Sequence, residues 1–435
     1  MLQKGPHWIP ALSWKDKFCD SVAVVVRWKE ITSLAYYKPT IVFMLKSFYG
    51  KLIDKPAYLA TVLLLVVIGV TAQCILLGDQ ADAHGMYYAY YKNYLIFKHS
   101  FFHLLKNQNL YLLYTDFDLD YFKYSPSFAV LMAPMSVMPD FLGLLCWNLL
   151  NVFVLFFGIY QLPKIYNKQK FFVVAFVLIE LITSLQNSQS NGLMAGLIVL
   201  AFAMCEKEKI AMATLCIVLS VFIKIFGLVG FALFLLYPNK IKAILYTIGW
   251  TILLVLLPLL VNTPTQLYQQ YQNWLVLLRD DYSVSQGISV GGILYTWFGI
   301  SAKQIVFVVG VVLFCLPLLR FRFYKETRFQ LSLLASILIW MVIFNHKAES
   351  PTFVIAVAGL AIWYISQPAT LVNKILIVFA FLLTVLSATD IFPAAIRKNY
   401  VIPYDLKALP CVLIWCKLII DIVFYTPKSP QIKAA

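Results

Sequence analysis

Residues 79–134 read DQADAHGMYYAYYKNYLIFKHSFFHLLKNQNLYLLYTDFDLDYFKYSPSFAVLMAP. An apolar run at 57–77 precedes this stretch, and a long series of apolar runs follows it. Runs of roughly 16 to 21 residues can cross a hydrocarbon core of about 30 Å as helices. The stretch, which is rich in Asp, His, Lys and Tyr, is therefore predicted to lie where the chain leaves the membrane.

Composition places the chain among integral membrane proteins. Its 435 residues are 61% hydrophobic and 13% charged, and the mean hydropathy is +0.80. An ordinary soluble domain is about 45–50% apolar and about 25% charged, which excludes that class. The formal net charge of +15 lies mostly beside apolar runs, where basic residues mark the cytoplasmic side and attract anionic lipids rather than nucleic acid.

The apolar runs predict an all-α bundle of about twelve transmembrane helices with both termini in the cytoplasm. Residues 1–56 are predicted to form a cytoplasmic amphipathic segment, residues 57–425 a polytopic domain, and residues 426–435 a cytoplasmic tail. Residues 78–125 and 262–302 then form two outer loops. Each loop is predicted to carry an amphipathic surface helix, the first over 87–106 with its aromatic side chains facing the membrane.

A further helix is predicted to begin at Ser125 and Pro126, because Ser is a favoured N-cap and Pro a favoured first helical residue. This helix ends at Met138, before Pro139. If it crossed the membrane, the basic segment around Lys164 would lie outside. The charge rule therefore predicts a re-entrant helix.

Polar residues are predicted to meet at the outer ends of the spans. Lys224 stands alone between two apolar helices, where a cation is costly and usually functional, and we predict that it binds phosphate. The alternative is that it snorkels to the interface. The other candidates for binding donor or acceptor groups are Lys123, Tyr124, Gln189, Asn191, His346 and Glu349.

Sugar transfer from a lipid phosphate suits a polar site at a membrane surface. A carboxylate would accept the proton of the acceptor hydroxyl, and a cation would neutralise the departing phosphate. The transition state would have oxocarbenium character, as in glycoside hydrolysis.

Several short motifs resemble those of the GT-C glycosyltransferases of glycosyltransferase family 87, which are similar to polyprenyl-phosphate-mannose-dependent mannosyltransferases. They are NYLIF at 93–97, HLLKNQNLY at 103–111, KYSPSFAVLMAP at 123–134, QNSQSN at 186–191, IKIFG around Lys224, and SP at 350–351 after His346. The resemblance covers about residues 57–366. It implies a GT-C bundle and a hexosyltransferase that uses a polyprenyl-phosphate donor.

One position departs from the family pattern. Asn93 occupies the place where the resemblance implies an Asp acting as general base, and an amide does not accept a proton at neutral pH. Asp79 is the first replacement candidate, followed by Asp82 and then by the group at 116–120. The alternative for Asp79 is that it only ends a helix at the water surface.

Metal and cofactor chemistry are not predicted. His99 and His103 are one helical turn apart, but no third ligand accompanies them. The DFDLD run at 116–120 lacks the glycine and the distal glutamate of a calcium loop. Glu180, inside an apolar run, is predicted to pair with a neighbouring helix rather than with substrate.

The sequence thus predicts an inverting membrane glycosyltransferase, active at the extracytoplasmic face of the cell membrane, that needs no cofactor. It would move a mannose-like hexose from polyprenyl phosphate to a lipid or glycan acceptor. The alternatives are a lipid or solute transporter, which should show internal repeats, and a silent relative that only binds a lipid-linked sugar.

Overall fold

The computed structural model describes residues 50–81, 87–114, 120–281 and 285–424. Both chain ends, Asp82, Asp116 and Asp118 lie outside these ranges. The first half contains helices α1 to α8 and two strands: α1 (Pro56–Leu76), β1 (Asp79–Ala81), β2 (Tyr87–Ala89), α2 (Lys92–Leu105), α3 (Pro126–Leu131), α4 (Ala133–Ser136), α5 (Asp140–Gln161), α6 (Asn167–Gln186), α7 (Asn191–Glu206) and α8 (Ile210–Ile223).

The second half alternates α-helices with 3-10 and π-helical segments. A 3-10 helix (Ile225–Leu236) follows α8. The remaining elements are α9 (Lys240–Leu256), which continues as a 3-10 turn (Leu257–Leu260), α10 (Pro264–Asp281), α11 (Val290–Phe298), α12 (Lys303–Cys315) with 3-10 turns (Leu316–Leu319, Phe321–Phe323), α13 (Thr327–Ile343), a 3-10 turn (Ser350–Thr352), α14 (Phe353–Ser366), α15 (Leu371–Ala380) with a π segment (Phe381–Val385) and a 3-10 turn (Leu386–Ala388), α16 (Ala394–Ile396) with a π segment (Arg397–Val401), and α17 (Leu409–Val423).

Five helices within the described ranges are long and apolar enough to cross a membrane. They are Pro56–Leu76, Asp140–Gln161, Asn167–Gln186, Lys240–Leu260 and Leu371–Ala388. Several shorter apolar helices accompany them, α7, α8 and α13 among these. The prediction of a helical integral membrane protein is confirmed, and the total of twelve crossings stays a prediction.

Helices α13 and α14 form the centre of the bundle, because nearly all their side chains are buried. Beside them, α5 and α7 approach each other closely at Gly196. A Cβ at this position would lie 2.5 Å from the backbone nitrogen of Leu155. Small residues allow such backbone contact between membrane helices, where packing rather than a hydrophobic force holds the helices together.

Replacing Gly196 with alanine should lower the free energy of unfolding by about 1–3 kcal/mol, the usual cost of overpacking a core. The clash is with backbone atoms of α5, which cannot rotate away. Unfolding in mixed detergent micelles measures the effect. Gly249→Ala in α9 is the matched control, since a Cβ there meets nothing within 4 Å; equal losses in both variants would contradict this account.

The prediction of a helix starting at residue 87 is wrong. Strand β2 pairs antiparallel with β1, with Asp79 opposite Ala89, and α2 begins only at Lys92. The Tyr-rich start of the segment favours a strand, and the backbone N–H of Tyr90 donates to the carbonyl of Gly78 at 3.2 Å. A two-stranded sheet therefore joins the otherwise helical fold.

The predicted orientation of α2 is also wrong in part. Tyr94 and Phe101, which were expected to face the membrane, are covered by protein. On the same side of α2, Phe97 packs edge-on against Tyr124 and Trp147, with ring centroids 4.8 and 5.5 Å apart. Helix α2 thus packs into the bundle.

The helix predicted at Ser125 differs from the prediction in its length. Ser125 does cap α3, since its hydroxyl accepts the N–H of Phe128 at 3.2 Å, but the helical segment breaks at Met132. Helices of six and four residues are much shorter than the about 20 residues of a span; re-entrance stays a prediction.

Candidate functional site

Lys224 lies at the break between α8 and the following 3-10 helix, with an extended backbone. Its side chain is partly exposed. The ammonium donates a hydrogen bond to Oδ1 of Asn191 at 2.7 Å, and it lies 5.9 Å from the ring centroid of Tyr124. An amide and a ring face orient this cation without neutralising it.

The turn between α6 and α7 organises the amide side of the site. The indole of Trp147 donates to the carbonyl of Ser188 at 2.9 Å and fixes this turn on α5. The Nδ2 group of Asn191 then donates to Oε1 of Gln189 at 2.6 Å and to the carbonyl of Pro351 at 3.0 Å. Because Nδ2 serves both acceptors, Oδ1 of Asn191 is left to face the lysine.

Gln189 extends this network to a carboxylate. Its Nε2 donates to Oε2 of Glu349 at 2.9 Å. Glu349 precedes the 3-10 turn that leads into α14. The resulting chain, Lys224–Asn191–Gln189–Glu349, is called the polar relay below. It unites four predicted site residues from three separate parts of the sequence.

Lys123 and Tyr124 approach the polar relay from the first outer segment. The Lys123 ammonium is 3.3 Å from a carboxylate oxygen of Asp120, which is the described member of the 116–120 group. The backbone is held by Trp274, whose indole donates to the carbonyl of Lys123 at 3.2 Å. Lys123 thus places a second cation next to Tyr124 in the chain.

The described candidates of the first loop, Asp79 and Asn93, differ in environment. Asp79 opens β1 and is exposed. Asn93, at the start of α2, donates from Nδ2 to the carbonyl of Asn187 at 2.8 Å. Asp82 lies outside the described residues. Asn93 therefore acts as a hydrogen-bond donor that ties α2 to the turn before the polar relay.

Replacing Asn93 with aspartate should destabilise the protein by about 0.5–1.5 kcal/mol, because the carboxylate loses the bond and faces a carbonyl oxygen. The substitution should not raise activity. Thermal unfolding with Asn93→Ala as reference measures the effect. A more stable Asn93→Asp protein would contradict the donor role.

An open cavity of about 710 Å³ adjoins the carboxylate end of the polar relay. Its walls come from the segment around Gly287, from α11 and the start of α12, from the connection after α13, and from the turn before α17. The segments on its two sides are joined by the N–H of Ile288, which donates to the carbonyl of Ala348 at 2.8 Å. His346 lies in this connection. The cavity is lined by Ser285, Gln286, Gly287, Ile288, Tyr295, Ser301, Lys303, Ala348, Glu349, Ser350 and Asp405.

Asp405 and Lys407 were not predicted. Lys407 forms a buried ion pair with Glu180 at 2.9 Å and donates to the hydroxyl of Ser350 at 2.7 Å. Glu180 was predicted to pair with a neighbouring helix, but its partner Lys407 lies in the turn before α17. The lone carboxylate of Glu180 in an apolar run indicated that a cation would pair with it. No sequence pattern near Glu180 could identify that cation as Lys407, which is 227 residues away.

The histidine pair of α2 is engaged within the protein. The ring of His103 stacks on Tyr114 with centroids 3.9 Å apart. No group of three or more His, Cys, Asp and Glu side chains that would hold a metal ion occurs among the residues that the structure describes.

The bundle and the polar relay at one of its ends define an integral membrane protein with an amide- and charge-lined site. Residues 122–344 match the family model of glycosyltransferase family 87, and the chain belongs to this family. It is therefore a membrane glycosyltransferase. A comparison with curated proteins finds no match. The matched range contains Lys123, Tyr124, Gln189, Asn191 and Lys224, and it ends before His346 and Glu349.

Proposed function

We propose that the protein transfers a mannose-like hexose from a polyprenyl-phosphate donor to a lipid or glycan acceptor, with inversion, at the extracytoplasmic face of the cell membrane. The observation that supports this most strongly is the geometry of Lys224. Its ammonium donates to Asn191 at 2.7 Å, and the residue is partly exposed.

A cation held in this way suits a departing lipid phosphate. Negative charge grows on the phosphate oxygen as the bond to the sugar breaks, and a preorganised positive group at low dielectric lowers that barrier. Lys224 supplies this charge, and Lys123, the neighbour of Tyr124 in the chain, is the second cation of the proposal. In this proposal, Gln189, His346 and Glu349 hold the sugar or the acceptor, and Asp79 is the described first-loop candidate for the base.

The charge distribution of the bundle supports the proposed face. At the opposite ends of α5, α6 and α7, Lys164 lies 3.7 Å from Glu206, and Lys207 hydrogen-bonds to Gln161. Lys170 donates to the carbonyl of Tyr160 at 2.8 Å. A basic end of this kind marks the cytoplasm, so the polar relay would face outward.

The test uses purified full-length protein in liposomes with labelled polyprenyl-phosphate mannose as donor and octyl mannoside as acceptor. We expect release of polyprenyl phosphate and a new glycoside whose anomeric configuration is opposite to that of the donor. Retention of configuration would refute inversion, and an intact donor would refute the proposed transfer.

A transporter would behave differently in the same liposomes. The labelled lipid would cross the bilayer with its sugar–phosphate bond intact, which external periodate oxidation of the sugar detects. Translocation without bond cleavage would replace the proposed function with transport.

A further inference from the structure

A half-buried carboxylate, Asp405, faces the cavity at the carboxylate end of the polar relay. Its side chain forms no hydrogen bond or ion pair with any other residue that the structure describes. A partly buried carboxylate with no partner in the described part of the chain, directed at an open cavity, is accessible to a molecule bound there.

The backbone at Asp405 is in an unusual conformation, and its neighbours pack closely around it. Its backbone has a φ of +51°, an unusual conformation that Asp tolerates better than most residues. Helix α11 approaches so closely that a Cβ at position 292 would lie 2.6 Å from Oδ2 of Asp405, and only the glycine found there leaves room. The indole of Trp297 donates to the carbonyl of Tyr404 at 2.9 Å and fixes the turn.

The cavity has the chemistry of a saccharide pocket. Its volume of about 710 Å³ falls in the range of about 300–1,000 Å³ found for small-molecule sites. The hydroxyls of Ser285, Ser301 and Ser350 and the amide of Gln286 can bind sugar hydroxyls, and Tyr295 offers an aromatic ring. A pocket this polar does not suit a prenyl chain.

We infer that this cavity binds the acceptor saccharide and that Asp405 accepts the proton of its attacking hydroxyl. This inference rests on the proposed function. The acceptor oxygen forms a bond with C1 of the donor hexose while its proton passes to the Asp405 carboxylate. The bond between C1 and the phosphate oxygen breaks, and its electron pair leaves on the phosphate beside Lys224. The proton then passes to water.

The polar relay connects the two halves of this reaction. Glu349 lines the cavity and accepts a hydrogen bond from Gln189, which in turn contacts the amide that orients Lys224. The donor phosphate and the acceptor are thus bound at opposite ends of one hydrogen-bonded chain. Asp405 thus supplies the carboxylate base that the amide of Asn93 cannot provide.

The proton affinity of Asp405 suits the task. Burial raises the pKa of its carboxyl to about 6, and a base is most effective when its pKa is near the working pH. The carboxylate gains a proton as the pH falls through this value, so turnover should fall on the acid side. The other titratable groups that line the cavity are Tyr295, Lys303 and Glu349, and Lys407 contacts its wall through the hydroxyl of Ser350.

The test compares Asp405→Asn with Asp79→Asn in liposomes with labelled polyprenyl-phosphate mannose and octyl mannoside. Asp390→Asn is the matched control, since Asp390 is fully exposed in the same connection between α15 and α17. We expect Asp405→Asn to lower kcat by about 10²–10⁴-fold, the range for loss of a general base. Donor binding should be unchanged, and the acid limb of the pH profile near pH 6 should disappear. Asp390→Asn should retain turnover, and Asp79→Asn tests whether the base lies in the first loop instead.

Several outcomes would overturn the inference. If Asp405→Asn retains turnover while Asp79→Asn loses it, the base lies in the first loop and the proposed function stands. If wild type consumes no donor, the proposed function fails. The pocket is then tested with the Ser301→Cys variant, which is labelled by a charged thiosulfonate. Bound octyl mannoside should slow this labelling, and Thr263→Cys is the control. Equal labelling rates with and without octyl mannoside would refute the pocket.

Discussion

Replacing Lys224 with alanine should lower kcat for hexose transfer by about 10²–10³-fold, the usual cost of removing one preorganised group that stabilises transition-state charge. The lost ammonium can no longer neutralise the departing phosphate. The remaining Lys123 already faces Asp120 at 3.3 Å and compensates little. Single-turnover kinetics in liposomes with labelled polyprenyl-phosphate mannose measure the effect.

Two further variants separate this electrostatic role from a structural one. Lys224→Arg keeps the charge and should recover part of the rate, although the fork of a guanidinium fits the single Oδ1 of Asn191 less well. Lys242→Ala removes an exposed lysine at the start of α9 and should leave the rate unchanged. An inactive Lys242→Ala protein, or Lys224→Ala with the wild-type rate, would contradict the proposed role.

The positions of the apolar helices could be predicted from the sequence. Helices α7 and α8 coincide with two apolar runs of the sequence that the charged segment 206–209 separates. This agreement is expected because a segment inside a membrane must satisfy its backbone hydrogen bonds internally. A long apolar run therefore forms a helix. The strand at Tyr87–Ala89 was missed because its pairing depends on a partner several residues upstream.

The site was predictable in part for a related reason. Polar residues such as Lys224 and Asn191 are conspicuous in apolar surroundings, where each needs a partner or a function. Their assembly into the polar relay depends on tertiary contacts, such as the bond between Gln189 and Glu349, which are 160 residues apart. Sequence periodicity gives no information on contacts between residues that are this far apart in the chain.

Asp405 could not be recognised in the sequence. It lies in a mixed segment, 390–408, in which charged residues are ordinary. What distinguishes it is its positive φ, its lack of a partner among the described residues and the close approach of Gly292. All three are properties of the folded protein. The same applies to Lys407, which a local pattern cannot separate from the solvated lysines nearby.

The buried pair between Glu180 and Lys407 should dominate the stability of the site end of the bundle. Lys407→Met should lower the free energy of unfolding by about 3–5 kcal/mol, because it leaves the fully buried carboxylate of Glu180 uncompensated. The Glu180→Leu variant should lose a similar amount. Unfolding of the purified protein in mixed micelles of dodecyl maltoside and dodecyl sulfate measures both.

The double variant Glu180→Leu/Lys407→Met gives the sharper result. Replacing a buried ion pair by apolar residues is often neutral, so stability should return close to that of wild type. Activity should not return, since Lys407 also holds the hydroxyl of Ser350 at 2.7 Å and thereby the position of Glu349 beside the cavity. If the two single losses simply add in the double variant, the residues do not stabilise each other. If the double variant is stable and fully active, Lys407 does not position the site.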